Sequence, residues 1–220
     1  MSVWAVLAAA GSGERLGADR PKAFARLGEL PLLAESLRRL DDSEWIDSIV
    51  VAAAPGWVEP SILLAEEIGA GKLSACVAGG GTRTQSVRIA LEEVPDSAAV
   101  VLVHDAARPL LPSEVIGRVL EPLSEGWDGV VPVVPIADTV KRVRGDEVVT
   151  TLDRGDLVAA QTPQAFVADA LRRAVAADAE GTDCAALVEA SGGRVKVVDG
   201  DRRLLKVTTP DDLGLVASWL

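Results

Sequence analysis

Two cations stand in a glycine-rich stretch near the start of the chain. Residues 8 to 22 read Ala-Ala-Ala-Gly-Ser-Gly-Glu-Arg-Leu-Gly-Ala-Asp-Arg-Pro-Lys, and they close an apolar run from Val3 to Ala10. Small residues let a backbone approach a ligand and leave its N–H groups open to phosphate oxygens. Gly11, Gly13 and Gly17 give G-x-G-x-x-x-G, and no G-K-[ST] follows. The spacing therefore excludes both the dinucleotide fingerprint and the Walker loop. Arg15 and Lys22, seven residues apart, instead offer two charges that could grip a triphosphate from two sides. The plain alternative is a tight strand-to-helix turn carrying surface charge.

Other charged segments recur where apolar runs end. Leu73–Val77 leads into Gly79-Gly80-Gly81-Thr82-Arg83 and Gln85-Ser86, and Ala99–His104 into Asp105-Ala106-Ala107-Arg108-Pro109. Asp153-Arg154 follows a polar stretch, and Asp201-Arg202-Arg203-Leu204-Leu205-Lys206 lies near the C-terminus. Taken singly, the glycines could be a turn and Asp105 a helix cap. Together they suggest cations from separate loops meeting at one place. His104, the single histidine, reads as a hydrogen-bonded structural residue, not a base. There is no G-x-S-x-G elbow and no cysteine in an activating setting. A reaction needing neither nucleophilic side chain nor general base fits best, such as nucleotidyl transfer to a phosphate whose oxygen is already anionic. Such catalysis reduces to in-line positioning and neutralisation of charge at phosphorus.

Composition bounds the rest. The 220 residues suffice for one sizeable core, 49% are hydrophobic, and none of the apolar runs reaches membrane-span length. No basic segment precedes the first apolar run, so a secretory signal is not expected and the cytoplasm is the simplest location. Cys76 and Cys184 are far apart and read as small buried thiols. A net charge of −11 argues against nucleic acid or an anionic membrane as partner. The same field repels a triphosphate, so its site must concentrate cations locally and is expected to recruit a divalent metal.

The elements that must position these residues alternate in the α/β manner. Strands are expected at Val3–Ala9, Ser48–Ala53, Leu73–Val77, Ala99–His104, Gly129–Val134 and Val195–Val198. Helical periodicity covers Leu32–Leu40, Glu59–Ile68, Thr84–Val94, Pro112–Leu123, Val167–Ala177, Asp183–Ala190 and Asp211–Trp219. Thr209-Pro210-Asp211-Asp212 reads as the start of the last helix. Runs that are continuous and not alternating suit a buried, largely parallel sheet. Val140–Arg144 and Glu147–Leu152 around Gly145-Asp146 are too polar for that sheet and read as a protruding hairpin, packed on a partner subunit or on its own domain.

The order Ala8-Ala9-Ala10-Gly11-x-Gly13-x-Arg15 with Pro21-Lys22, Gly79-Gly80…Arg83-x-x-Ser86-Val87, Val103-His104-Asp105-Ala106-Ala107-Arg108-Pro109, Asp138-Thr139-Val140-Lys141, Asp153-Arg154, Gln161-Thr162-Pro163-Gln164, Thr182-Asp183 and Lys206-Val207-Thr208 closely resembles the 2-C-methyl-D-erythritol 4-phosphate cytidylyltransferases of the non-mevalonate isoprenoid pathway. The resemblance spans nearly the whole chain. It implies a Rossmann-like three-layer α/β sandwich with a mostly parallel mixed sheet, a single nucleotidyltransferase domain over 1–220, and a dimerisation arm at 136–156. It implies Mg²⁺-dependent transfer of CMP from CTP to methylerythritol phosphate. Arg15 and Lys22 would stabilise the transition state, and Arg154 and Lys206 complete the catalytic set. Ala9, Ala10, Gly11, Gly13, Gly80, Ser86 and Asp105 would bind CTP, with Asp105 also the candidate metal ligand. Arg108, Thr139, Arg154, Thr182 and Lys206 would place the acceptor, with Thr139 and Arg154 serving the neighbouring subunit of a homodimer. Two positions depart from the pattern: Gly81 and Cys184 stand where the family leads one to expect acids. A ribitol 5-phosphate cytidylyltransferase and a non-catalytic nucleotide-binding homologue are the alternatives.

Overall fold

A computed structural model describes residues 2–13, 20–176 and 180–220 of the chain. Its strands are β1 (Val3–Ala9), β2 (Arg26–Leu27), β3 (Leu30–Pro31), β4 (Ser48–Ala53), β5 (Leu73–Ala78), β6 (Val100–Asp105), β7 (Gly129–Pro135), β8 (Lys141–Arg144), β9 (Glu147–Thr151), β10 (Val158–Ala160), β11 (Gln164–Val167) and β12 (Val195–Asp199). The helices are α1 (Leu32–Asp41), α2 (Val58–Glu67), α3 (Arg83–Leu91), α4 (Ser113–Leu120), α5 (Ala168–Ala176), α6 (Cys184–Ala190) and α7 (Pro210–Ala217). The end of the helix expected over Val167–Ala177 lies outside the described residues. The helix expected over Pro112–Leu123 stops at Leu120, and a 3₁₀ turn at Glu121–Glu125 takes over where Pro122 removes a backbone donor. Thr209 caps α7 in a reciprocal capping box with Asp212, as its sequence suggests.

The central sheet has eight strands, and β5, β4, β1 and β6 lie side by side and parallel. The chain winds outward from β1 to β4 and β5, then returns across β1 to form β6, which puts a topological switch between β1 and β6. Beyond β6, β11 runs antiparallel to both β6 and β7, while β12 pairs parallel with β7. β10 and β11 escape the apolar pattern because each is short and Gln161-Thr162-Pro163 separates them. Proline cannot donate to a ladder, so such a stretch reads as a loop. Both nevertheless pair with β7, and the Thr162–Pro163 bond is cis.

Alternate residues of β1 face different cores. Ala5, Leu7 and Ala9 pack with α1 and α4, while Val6 faces Val87 of α3 and Leu171 of α5. Helices on both faces make three layers, which explains the unbroken apolar runs. A third, smaller core joins Ala25, Leu27 and Leu32 to Leu110, Val207 and Val216. It packs the segment after Lys22 against the segment after Lys206.

β8 and β9 form a separate antiparallel pair in which every residue is exposed. Gly145, at φ +56°, makes the turn. The hairpin does not fold back on its own chain: Val143, Val148 and Val149 remain 59%, 54% and 50% exposed.

Candidate active site

In open α/β sheets, ligands bind outside the carboxyl ends of strands at the switch point. Here a cavity of about 520 Å³ opens at that place, lined by Ala8 to Ser12 at the end of β1 and beyond, Gly80 to Arg83 after β5, Asp105 to Ala107 at the end of β6 and beyond, and Lys22, Ala23, Pro55, Ser86 and Lys206. Backbone bonds register the loops. Ala106 N–H donates to Ala8 C=O (3.0 Å), Gly79 N–H to Ala53 C=O (2.8 Å), and Val207 N–H to Ala107 C=O (2.8 Å). Among the described lining residues, Lys22, Arg83 and Lys206 oppose one carboxylate, Asp105. A locally cationic cleft in a chain of net charge −11 concentrates field on an anion.

Lys22 is held by close approach. Its N–H donates to Gly11 C=O at 3.3 Å. Gly13, at φ +76°, passes so near that a Cβ there would lie 2.7 Å from Lys22 Cβ. Only glycine fits that conformation and that gap. Gly13 therefore shapes the lysine's surroundings without lining the cavity.

Asp105 joins two of the cations. Arg83 Nε donates to one carboxylate oxygen at 3.1 Å, and Lys206 Nζ to the other at 2.7 Å. Burial alone would raise the Asp105 carboxyl, but Arg83 and Lys206 outweigh it and hold it below the usual carboxylate range. Burial likewise works to lower Arg83, and Asp105 with Cys184 reverses this and raises it. Arg83 Nη1 reaches Cys184 Sγ at 3.3 Å, while buried Nη2 has no hydrogen-bond partner among the described residues. The Cys184 departure thus gives Arg83 a weak acceptor where a carboxylate would give a strong one. Gly81, the other departure, has its N–H satisfied by Gln85 Oε1 at 3.0 Å. Gly80 N–H bonds Ser86 Oγ at 3.1 Å, which in turn donates to Thr82 C=O.

His104 is structural. Fully buried, it places Nδ1 3.1 Å from Thr162 Oγ1 and Nε2 3.0 Å from Arg108 C=O. Thr162 Oγ1 also accepts from Asp105 N–H, so a neutral imidazole donating through Nε2 satisfies the whole set. Burial pushes His104 down to about 4 from 6.5. The unfolded chain then takes up this proton first as pH falls, so the stability gained by keeping His104 neutral is present above pH 6.5 and lost towards pH 4. Melting temperatures should fall across that window, and His104→Asn should flatten the fall; an unchanged slope would assign it to other groups.

Ala9, Ala10, Gly11, Gly80, Ser86, Asp105, Lys22 and Lys206 line one cavity. Arg15 lies outside the described residues. Arg108 is not among the described lining residues; it donates to Leu204 C=O at 2.6 Å, and its buried Nε has no partner among the described residues. Thr139 and Arg154 sit at the base of the exposed hairpin, where Arg154 Nη1 bonds Ala137 C=O. Thr182, exposed, precedes α6. The profile of the IspD family, 2-C-methyl-D-erythritol 4-phosphate cytidylyltransferase, matches residues 3–220.

The chain belongs to the 2-C-methyl-D-erythritol 4-phosphate cytidylyltransferase family. A member from Saccharopolyspora erythraea is 46% identical over the whole of both chains. One from Nocardia farcinica is 45% identical, covering 100% of this chain and 94% of its own. The crystal structure of the Thermus thermophilus 2-C-methyl-D-erythritol 4-phosphate cytidylyltransferase superposes with a TM-score of 0.79 at 32% identity, covering 100% of this chain and 98% of that one. The family decides the acceptor in favour of methylerythritol phosphate over ribitol 5-phosphate. Within this cytidylyltransferase the pairing of Arg83 with Asp105 was not legible beforehand. The two lie 22 positions apart, Arg83 at the start of α3 and Asp105 at the end of β6, and charge type alone does not say which cations pair. No helix among the described residues is long and apolar enough to cross a membrane.

Proposed function

We infer that this cytidylyltransferase moves CMP from CTP to 2-C-methyl-D-erythritol 4-phosphate in the cavity between β1 and β6, by a single direct displacement. An acceptor phosphate oxygen forms a bond to the α-phosphorus of CTP. The bond from that phosphorus to the bridging oxygen breaks, and its electron pair leaves with pyrophosphate. No proton has to move, and the lining agrees: it contains no histidine or cysteine among the described residues, and Ser86 Oγ is occupied with backbone partners. The observation that carries the reading is the convergence of Lys22, Arg83 and Lys206 around one cavity. Their charge acts most where negative charge accumulates during displacement.

Ala9, Ala10, Gly11, Gly80 and Ser86 would enclose the nucleoside, largely through backbone groups. Lys22, with Arg15, would stabilise the transition state. Arg108, Thr182 and Lys206 would hold the acceptor phosphate. The residues fit Mg²⁺, which binds through one or two carboxylates together with substrate phosphates. Asp105, the lining carboxylate, still has lone pairs left after its two hydrogen bonds. It would hold the ion, which when bound would offset triphosphate charge. The hairpin with three half-exposed valines suits a homodimer, in which Thr139 and Arg154 would serve the second copy's cavity. A cytoplasmic location agrees with this chemistry.

Pyrophosphate release should depend on CTP and prefer methylerythritol phosphate; a preference for ribitol 5-phosphate would overturn the substrate assignment. Arg154→Ala should raise the acceptor KM by about 10- to 100-fold, as loss of a charge-assisted bond to phosphate implies, and leave the KM for CTP unchanged. Mixed with Lys22→Ala, it should recover one working site per heterodimer; absence of recovery would mean that each site is built from one chain.

A further inference from the structure

The first turn of α3 makes three successive side-chain contacts with the segment Glu180–Cys184. Thr82 Oγ1 donates to Glu180 Oε1 at 3.0 Å, Arg83 Nη1 reaches Cys184 Sγ at 3.3 Å, and Gly181 N–H donates to Thr84 Oγ1 at 3.3 Å. Thr82 keeps its capping role as well, accepting from Gln85 N–H at 3.1 Å. Gly181 is closely packed on its other side: a Cβ there would lie 2.9 Å from both Asp183 C=O and Leu187 Cγ. The far side of the segment is fixed separately. Gln164 Nε2 donates to Asp183 Oδ2 at 2.7 Å, and Ala185 N–H donates to Gln164 Oε1 at 3.3 Å. Gln164 therefore anchors the start of α6, and the stretch before it, containing Thr182, is tied to α3.

This turn continues directly from Gly80 and Gly81, and Thr82 and Arg83 themselves line the nucleotide cavity. One rigid piece of backbone thus contacts the nucleotide side through its loop and the Thr182 segment through its hydroxyls. We propose that Thr84 and Glu180 are positioning residues, which clasp the Thr182 segment to the nucleotide loop so that the acceptor subsite is set relative to CTP. The proposal rests on the reading of this segment as an acceptor contact and goes beyond it, because neither residue needs to touch substrate.

Steady-state kinetics with each substrate varied separately test the clasp. Thr84 is buried, so Thr84→Val leaves the Gly181 N–H without its acceptor. It should raise the acceptor KM by about five- to tenfold, leave kcat and the KM for CTP within about twofold, and be reversed in Thr84→Ser. Glu180→Ala removes an exposed bond and should raise the acceptor KM by about two- to threefold. Thr182→Ala serves as the reference for the site itself. If it raises the acceptor KM while Thr84→Val and Glu180→Ala do not, the clasp is overturned and the acceptor reading stands. If Thr84→Val raises the acceptor KM while Thr182→Ala is silent, the clasp stands and another residue of the segment meets the acceptor. Equal rises in both KM values would mean general loosening and would overturn the proposal. Because Glu180 lies at the surface, its variant keeps the test open should Thr84→Val fold poorly.

Discussion

Lys22→Ala should lower kcat by about two to three orders of magnitude while weakening CTP binding only a few-fold. That size is what a preorganised charge contributes when it faces charge that develops during reaction. In the ground state CTP can also draw on Arg83 and on backbone N–H groups of the glycine loop, so one lysine is a modest fraction of its binding. During displacement the situation changes, because negative charge builds on the oxygens around the α-phosphorus and on the departing pyrophosphate. A group that matters more then than before lowers kcat when removed, whereas a group that matters equally throughout raises KM alone. The fold supports the former. Lys22 is fixed by its N–H bond to Gly11 C=O, by the close pass of Gly13 and by the small core beneath Ala25 and Leu27. The backbone from which the side chain springs is thus fixed at the cavity before substrate arrives. Titration of CTP binding beside single-turnover rates separates the possibilities, and losses of the same factor in both would reduce Lys22 to a binding residue.

Much of this architecture was legible because parallel strands buried on both faces spell themselves out as apolar runs. β1 and β4 coincide with the runs Val3–Ala9 and Ser48–Ala53, and β6 is displaced from its run by one residue. The glycine loops after β1 and β5 and the charged segment after β6 were legible for a related reason: small or charged residues at strand ends have no packing task there. What the sequence hid depends on partners distant along the chain. β11 is recognisable as a strand only once β6 and β7 lie on either side of it. β2 and β3 are two residues each, too short for any periodicity. The Arg83–Asp105–Lys206 set needed coordinates, since any of the basic residues at these strand ends could have paired with that carboxylate. The family resemblance suggested acids at positions 81 and 184. The structure shows what their absence does locally: Gln85 takes the Gly81 N–H, and the thiol of Cys184 partly serves Arg83.

Asp105→Asn should lower kcat/KM by at least about a hundredfold and, in the absence of divalent metal, bind CTP more tightly than the parent protein. The two effects have one electrostatic origin. The carboxylate is 8% exposed and lies between Arg83, 21% exposed, and Lys206, 42% exposed. Deleting its charge leaves two cations facing each other in a partly dry cleft, and a metal-free triphosphate gains from that imbalance. Catalysis suffers for the same reason. An amide can accept from one of the two cations but supplies no charge to set both, so Lys206 and Arg83 drift from the positions at which they face the reacting phosphates. A carboxylate available to Mg²⁺ is lost as well. Stability should also fall, because the largely buried Arg83 guanidinium loses the negative charge that compensates it. Solvent around Lys206 screens its share, so the loss stays below that of a fully buried pair. Calorimetric titration of CTP with and without Mg²⁺ provides the decisive comparison. Weaker metal-free binding by the Asp105→Asn variant, together with metal dependence like that of the parent, would show that Asp105 serves as a nucleoside contact and not as the counterion that organises the site.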